Sequence, residues 1–259
     1  MSEIAPMQVK PQAQPDWVYD RLAEVYDLIG MDRFSRLAFD RCRDFLADSG
    51  LAVHRLLDLA CGTGHFAIAA SKLGVDVVGI DGSRAMLTKA RRNSGRKRNS
   101  PQWKHGHLTR FSAPGRFDLI TCWFDSLNHL MSDEDLIRCF RCARRHLSSG
   151  GALIFDVNTP TAFRERWGGS TYRTTDRYVL HEQGVTDATG RFGWLVMEVF
   201  VRRGKYYDRL KLPFCQRALT ALEIKATLRE AGFDQITVEP FNGRGSLRAA
   251  HRLFVAARP

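Results

Sequence analysis

Arg55-Leu56-Leu57-Asp58-Leu59-Ala60-Cys61-Gly62-Thr63-Gly64-His65-Phe66, with the segment ending Val77-Val78-Gly79-Ile80-Asp81-Gly82-Ser83, decides the fold of this chain. An apolar run, 56–60, is cut by two glycines spaced Gly-x-Gly. Small residues at helical spacing follow in Ala67-Ile68-Ala69-Ala70, then a second apolar run that closes on an acid. The order is strand, glycine loop, helix, strand: one unit of a nucleotide-binding α/β sheet. Gly62 and Gly64 allow a tight turn and a close backbone approach to a ligand at a helix N-terminus. Asp81, ending the second strand, is placed to accept hydrogen bonds from two ribose hydroxyls. The dinucleotide fingerprint Gly-x-Gly-x-x-Gly needs a third glycine where Ala67 stands. Asp58 would repel a pyrophosphate and suits a ligand that carries an ammonium.

Asp58-x-x-Cys61-Gly62-x-Gly64 followed by Val78-Gly79-Ile80-Asp81 closely resembles motif I and the next acidic motif of the class I S-adenosylmethionine-dependent methyltransferases. The resemblance runs over 19–259, nearly the whole chain. It implies an α/β fold: a Rossmann-like, doubly wound sheet of seven strands, mostly parallel with the last antiparallel. It also implies S-adenosyl-L-methionine as co-substrate and S-adenosyl-L-homocysteine as product. On that resemblance Asp58 and the loop of Ala60, Cys61, Gly62 and Gly64 hold the methionine end, Asp81 the ribose, Met86 packs on the adenine, and Gly82 also belongs to the donor site. In Gly106-His107-Leu108 the family carries an acid where His107 stands, and a neutral imidazole still accepts one hydrogen bond from the adenine amino group. Tyr19, Leu108, Trp123 and Phe124 complete the implied donor site.

Phe117-Asp118-Leu119-Ile120-Thr121-Cys122-Trp123 reads as the fourth strand and delivers Phe124-Asp125-Ser126-Leu127-Asn128-His129-Leu130 beyond the strands' carboxyl ends. This loop resembles one in a subgroup that includes sugar N-methyltransferases of antibiotic pathways, where a His or Tyr at the position of His129 points at the acceptor. His129 is therefore the candidate base or orienter. The doubled Tyr-Asp of Tyr19-Asp20 and Tyr26-Asp27 resembles an N-terminal segment lying over the cofactor, which makes Tyr19 and Tyr26 a second hydrogen-bonding wall. Methyl transfer from a sulfonium is an in-line displacement. Holding its three centres collinear and dry is worth roughly 7–11 kcal/mol, and a general base adds roughly a hundred- to ten-thousandfold.

Residues 1–15 read as a disordered leader and 16–48 as a helical cap, with helices over 17–29 and 34–47. The core is 49–161 and 215–259. Between them, 162–214 alternates as strands, an antiparallel insertion expected to act as a substrate lid. Of its rings Tyr172, Tyr178, Trp194, Phe200, Tyr206 and Tyr207, some are expected to face the acceptor. Ser132 and Asp135 cap a helix over 133–146, Ser149-Gly150-Gly151 is read as the turn that ends it before a strand at 152–157, and Thr220-x-x-Glu223 opens a later helix.

The 259 residues are 44% hydrophobic and 26% charged, as in an ordinary globular chain. No apolar run is long enough to span a bilayer, and Met1-Ser2-Glu3-Ile4-Ala5-Pro6 lacks the apolar core of a signal peptide, so a cytoplasmic protein is expected. Six cysteines sit mostly in apolar runs. Cys139-x-x-Cys142 lies within a helical pattern and has no second Cys or His pair, which favours reduced buried thiols and no metal. A net charge of +11 and a pI near 9.7 raise the question of nucleic acid. The densest basic run, 91–98, reads as a surface loop without interleaved aromatics to stack on bases. The expected activity is methyl transfer to a small molecule, at an amine nitrogen or else a hydroxyl oxygen, by a monomer or homodimer. An RNA or other nucleic-acid methyltransferase is the second reading, although 124–128 lacks the Asn/Asp-Pro-Pro-Tyr segment used for base amines. A donor-binding protein without turnover is the third.

Overall fold

The computed structural model describes residues 15–95 and 99–259. The expected leader, up to residue 14, and Arg96, Lys97 and Arg98 of the basic run lie outside them. In chain order the elements are α1 (Asp16–Leu22), α2 (Phe34–Ser49), β1 (Arg55–Leu59), α3 (His65–Ser71), β2 (Asp76–Asp81), α4 (Arg84–Ser94), β3 (Gln102–His105), β4 (Phe117–Cys122), α5 (Asp133–His146) and β5 (Leu147–Asn158). After these come α6 (Pro160–Arg166), β6 (Gly169–Thr174), β7 (Tyr178–Thr186), β8 (Phe192–Arg203), β9 (Tyr206–Arg217), α7 (Ala221–Glu230), β10 (Gln235–Pro240) and β11 (Arg252–Arg258).

Seven strands form the central sheet in the order β10-β11-β5-β4-β1-β2-β3. Pairings among β1 to β5 are parallel, whereas β11 runs antiparallel to both β5 and β10. This is the doubly wound sheet that the glycine motif implied. Its strands are apolar throughout because both faces are covered. Leu57, Leu59, Ile120, Phe155 and Val255 pack with α5 and α7, while Leu56, Leu119, Ile154 and Phe254 pack with α2 and α3. The order in which strands are added reverses between β1 and β4, so the carboxyl ends of β1, β2 and β4 open onto one crevice. A second, antiparallel sheet, β6-β7-β8-β9, stands apart from the first. Its apolar inner face, with Leu180, Met197, Val199, Leu210 and Leu212, packs on Val18, Leu22 and Ile29 of the N-terminal segment.

Several local expectations shift. The first helix ends at Leu22 and continues only as turns through Gly30. The antiparallel strands are preceded by α6 and run past 214 to Arg217. Ser149-Gly150-Gly151 is not a free turn. α5 passes directly into β5 at Leu147, because pairing of Phe117 with Leu147 and Leu119 with Ala152 draws the glycines into a strand irregularity. The basic run is not wholly a loop either. Arg91, Arg92, Asn93 and Ser94 belong to α4, and the exposed Asn93 bonds Thr63 and Asp27.

Candidate active site

At the crevice, β1 ends in a loop whose conformation only particular residues tolerate. Ala60, Gly62 and Gly64 have φ of 52°, 54° and 85°. A Cβ added to Gly62 would meet open space, whereas one on Gly64 would sit 2.5 Å from Trp103. Gly62 therefore opens the loop toward the crevice, and Gly64 is required by its backbone and by the indole packed behind it. Asp81 spans the loop from the next strand. Its Oδ2 accepts from Gly62 N at 2.7 Å and its Oδ1 from Ser83 N at 2.8 Å, and each oxygen keeps a further lone pair. Ser83 caps α4, accepting from Met86 N at 3.1 Å.

Asp58 is 2% exposed and accepts from Thr121 Oγ1 at 2.8 Å. Burial, followed by the nearby Asp81 charge, pushes its carboxyl up to about 7, and burial raises Asp81 as well. Two carboxylates held where ionisation is costly make a site that a cation would relieve. Burial also holds the Cys61 and Cys122 thiols well above their ordinary range, so neither is a thiolate nucleophile. Cys139 and Cys142 are likewise buried thiols, on the core side of α5.

The N-terminal segment is fastened over this loop by residues the sequence reading did not assign. Asp20 accepts from Ser83 Oγ at 2.6 Å and from Ala85 N at 3.3 Å. Asp27 accepts from Thr63 Oγ1 at 2.7 Å and from Asn93 at 3.1 Å. In each Tyr-Asp pair the acid grips the core and the tyrosine lines the cavity.

That cavity is about 720 Å³. Tyr19, Tyr26, Asp58, Ala60, Cys61, Gly62, Gly64, Asp81, Gly82, Met86, His107, Leu108, Trp123, Phe124 and His129, the candidate residues from the sequence, all line it. The inner face of the second sheet contributes Leu195, Met197, Phe214 and Gln216. The rings expected to face an acceptor are not among them. Trp194 and Phe200 alternate with Leu195 and Met197 and so lie on the opposite face. Tyr172, Tyr206 and Tyr207 are exposed, and Tyr178 packs against the N-terminal segment.

His129 ends a single 3-10 turn, Ser126–His129. Its Nε2 accepts from the Tyr19 hydroxyl at 2.6 Å and lies 3.2 Å from Gln216 Nε2, while Nδ1 lies 3.3 Å from Cys215 O. Burial lowers the pKa of His129 and raises those of Tyr19 and Tyr26, so all three are neutral near pH 7. The preceding residues are strained: Phe124 and Asp125 have φ of 60° and 48°. Asp156 holds them in place, accepting from Phe124 N at 2.6 Å and Asp125 N at 3.0 Å. Arg252 bridges Asp156 and Asp125, the latter at 2.8 Å, and Gln216 Nε2 donates to Asp125 Oδ2 at 2.6 Å. Phe34 stacks on Phe124 at 4.7 Å. Of this network the sequence had signalled only the loop itself.

Comparison with known proteins bears on what fills the cavity. The family described as "Methyltransferase domain" matches residues 56–151. YqeM of Bacillus subtilis (strain 168), which carries a methyltransferase name, is 30% identical over 248 residues, covering 93% of this chain and 97% of that one. The glycine/sarcosine N-methyltransferase of Halorhodospira halochloris is 30% identical over 202 residues, 70% of this chain and 72% of its own. Among solved structures, SAM-bound CalS10, an amino pentose methyltransferase from Micromonospora echinaspora, shares the fold with a TM-score of 0.70 at 21% identity, over 91% of this chain and 97% of that one.

Proposed function

This chain belongs to the S-adenosylmethionine-dependent methyltransferases, and from that premise we propose that it methylates the amine nitrogen of a small molecule held between the strand-4 loop and the second sheet. Bound in the crevice, the sulfonium donor supplies an activated methyl carbon and a neutral thioether leaving group. Asp58 faces its α-ammonium, the 60–64 loop its carboxylate, Asp81 and Gly82 the ribose, and Met86, His107 and Leu108 the adenine. The open space at Gly62 and the raised carboxyl of Asp58 both favour this occupant. Trp123, Phe124 and Tyr19 close the donor's methyl-bearing end, and the N-terminal segment and second sheet serve as cap and lid.

The observation that carries the acceptor assignment is the buried Tyr19–His129 hydrogen bond. A histidine whose pKa is lowered by burial is too weak a base to ionise an alcohol. An amine needs far less, because it attacks through its own lone pair as a neutral base, the form that burial favours. As nitrogen bonds to the methyl carbon and the carbon–sulfur bond breaks, the product ammonium is left with one proton too many. That proton passes to Tyr19 Oη while the Tyr19 proton moves to His129 Nε2, so neither phenolate nor free imidazolium forms in advance. Tyr26 supplies a further polar wall. The 30% identity to a glycine/sarcosine N-methyltransferase supports nitrogen as nucleophile.

The test is methyl transfer from S-adenosyl-L-methionine to a panel of amino sugars, nucleotide-linked amino sugars, glycine, their hydroxyl isosteres and an RNA transcript. An amine is expected to yield S-adenosyl-L-homocysteine and an N-methyl product. Turnover confined to the hydroxyl compounds or to RNA would overturn the assignment.

A further inference from the structure

One polar atom in the cavity has no role in the transfer as drawn. Gln216 is 5% exposed, and its Oε1 is fully buried with no hydrogen-bond partner among the described residues. The orientation of this amide is fixed by its neighbours. Asp125 Oδ2 lies 2.6 Å from one end, and a carboxylate salt-bridged to Arg252 at 2.8 Å only accepts, so that end is the NH2 group. The same NH2 stands 3.2 Å from His129 Nε2, which also receives the Tyr19 hydroxyl. Nε2 is therefore unprotonated, and Nδ1–H donates to Cys215 O. What remains is a rotationally locked, buried carbonyl oxygen on a residue that lines the cavity, beside the Tyr19–His129 pair. A buried acceptor left unpaired is costly, and such atoms persist where a ligand completes them.

We propose that Gln216 Oε1 accepts a hydrogen bond from an N–H of the acceptor amine, so that Gln216 both orients the nitrogen and counts its hydrogens. This assignment rests on the amine reading above. A neutral primary amine has two N–H groups. One reaches Gln216 Oε1, the other Tyr19 Oη, and the lone pair is left facing the methyl carbon. A secondary amine has one N–H and must forgo one of the two contacts. The first methylation is thereby favoured over the second, and the residue that sets this preference is Gln216.

The experiment compares the wild-type protein with Gln216→Met and Gln216→Asn. It measures kcat/KM for the best amine of the panel and for its N-methyl derivative, with S-adenosyl-L-homocysteine affinity by calorimetry and folding by thermal melts. In the wild type the primary amine is preferred by about three- to tenfold, the worth of one neutral hydrogen bond. Gln216→Met lowers kcat/KM for the primary amine by about the same factor, mainly through KM, and brings the two amines within about twofold of each other. Its affinity for S-adenosyl-L-homocysteine stays unchanged. Should Gln216→Met fail to fold, Gln216→Asn carries the same readout, because it keeps both amide groups and withdraws them by about 1.5 Å. A primary-over-secondary preference that survives substitution overturns the role of Gln216 alone. So does a loss of homocysteine-product affinity that matches the loss of activity, since it gives Oε1 to the donor. Turnover only on hydroxyl compounds or RNA overturns the amine assignment and the role of Gln216 together.

Discussion

Binding of the donor should be linked to a proton at Asp58. In the free protein burial holds this carboxyl at about 7, and the carboxylate form is the one that pairs with an α-ammonium. At pH 6 about a tenth of the molecules carry the charge, and at pH 8 about nine tenths do. The apparent affinity for S-adenosyl-L-homocysteine, which keeps the same ammonium, should therefore rise about tenfold from pH 6 to pH 8 and level off above that. Titration calorimetry at pH 6 in buffers of different ionisation enthalpy should register release of close to one proton per binding event. The stability of the free protein has the opposite slope. An acid whose folded pKa lies above its unfolded value, 3.8, binds more protons in the native state, so its contribution falls as pH rises from there toward 7. Product binding should offset that fall. Asp58→Asn removes the proton linkage and lowers affinity at pH 8 toward the wild-type value at pH 6. An affinity that is flat between pH 6 and pH 8, with no proton released, would refute the placement of the ammonium at Asp58.

Three further outcomes follow from the same geometry. His129→Ala should lower kcat by roughly a hundred- to ten-thousandfold. Because burial lowers the histidine's pKa, wild-type turnover should hold through neutral pH and fall only below the ordinary imidazole range, while Tyr19→Phe loses rate without creating a new titration; an unchanged rate in either variant refutes the relay. Gly64→Ala should cost more stability in urea than Gly62→Ala, because both meet a positive φ worth about 1–3 kcal/mol but only Gly64 also collides with Trp103; equal midpoints would refute this. Arg252→Met should cost about 3–5 kcal/mol by leaving Asp125 and Asp156 without their cation. That deficit should shrink from pH 8 to pH 5 as Asp156, which burial pushes up to about 6, takes up a proton, so a loss independent of pH would mean the bridge matters only for packing.

How much of this was legible depends on the distance over which each feature is decided. The glycine loop, Asp81, the bounds of α5 and the capping box at Thr220 are set within a few residues, and the sequence states them outright. The facing of the second sheet is not local. In β8 the outward set, Trp194, Val196, Glu198 and Phe200, holds one charge among large apolar residues, so period-two patterning marks Leu195, Met197 and Val199 as the inner set only weakly. Packing against the N-terminal segment makes that choice. Ser149-Gly150-Gly151 carried a true turn signal that pairing with β4 overrode. The strand-4 loop shows the same limit at the site itself. Its residues could be read as those that meet the acceptor, but not the left-handed backbone of Phe124 and Asp125, which costs about 1–3 kcal/mol per residue. What holds that backbone lies 32, 91 and 127 residues away, in Asp156, Gln216 and Arg252. The loop's composition is thus a local property and its shape a tertiary one. Substitutions at Arg252 or Asp156, though remote in sequence, should therefore disturb acceptor turnover as much as changes within the loop.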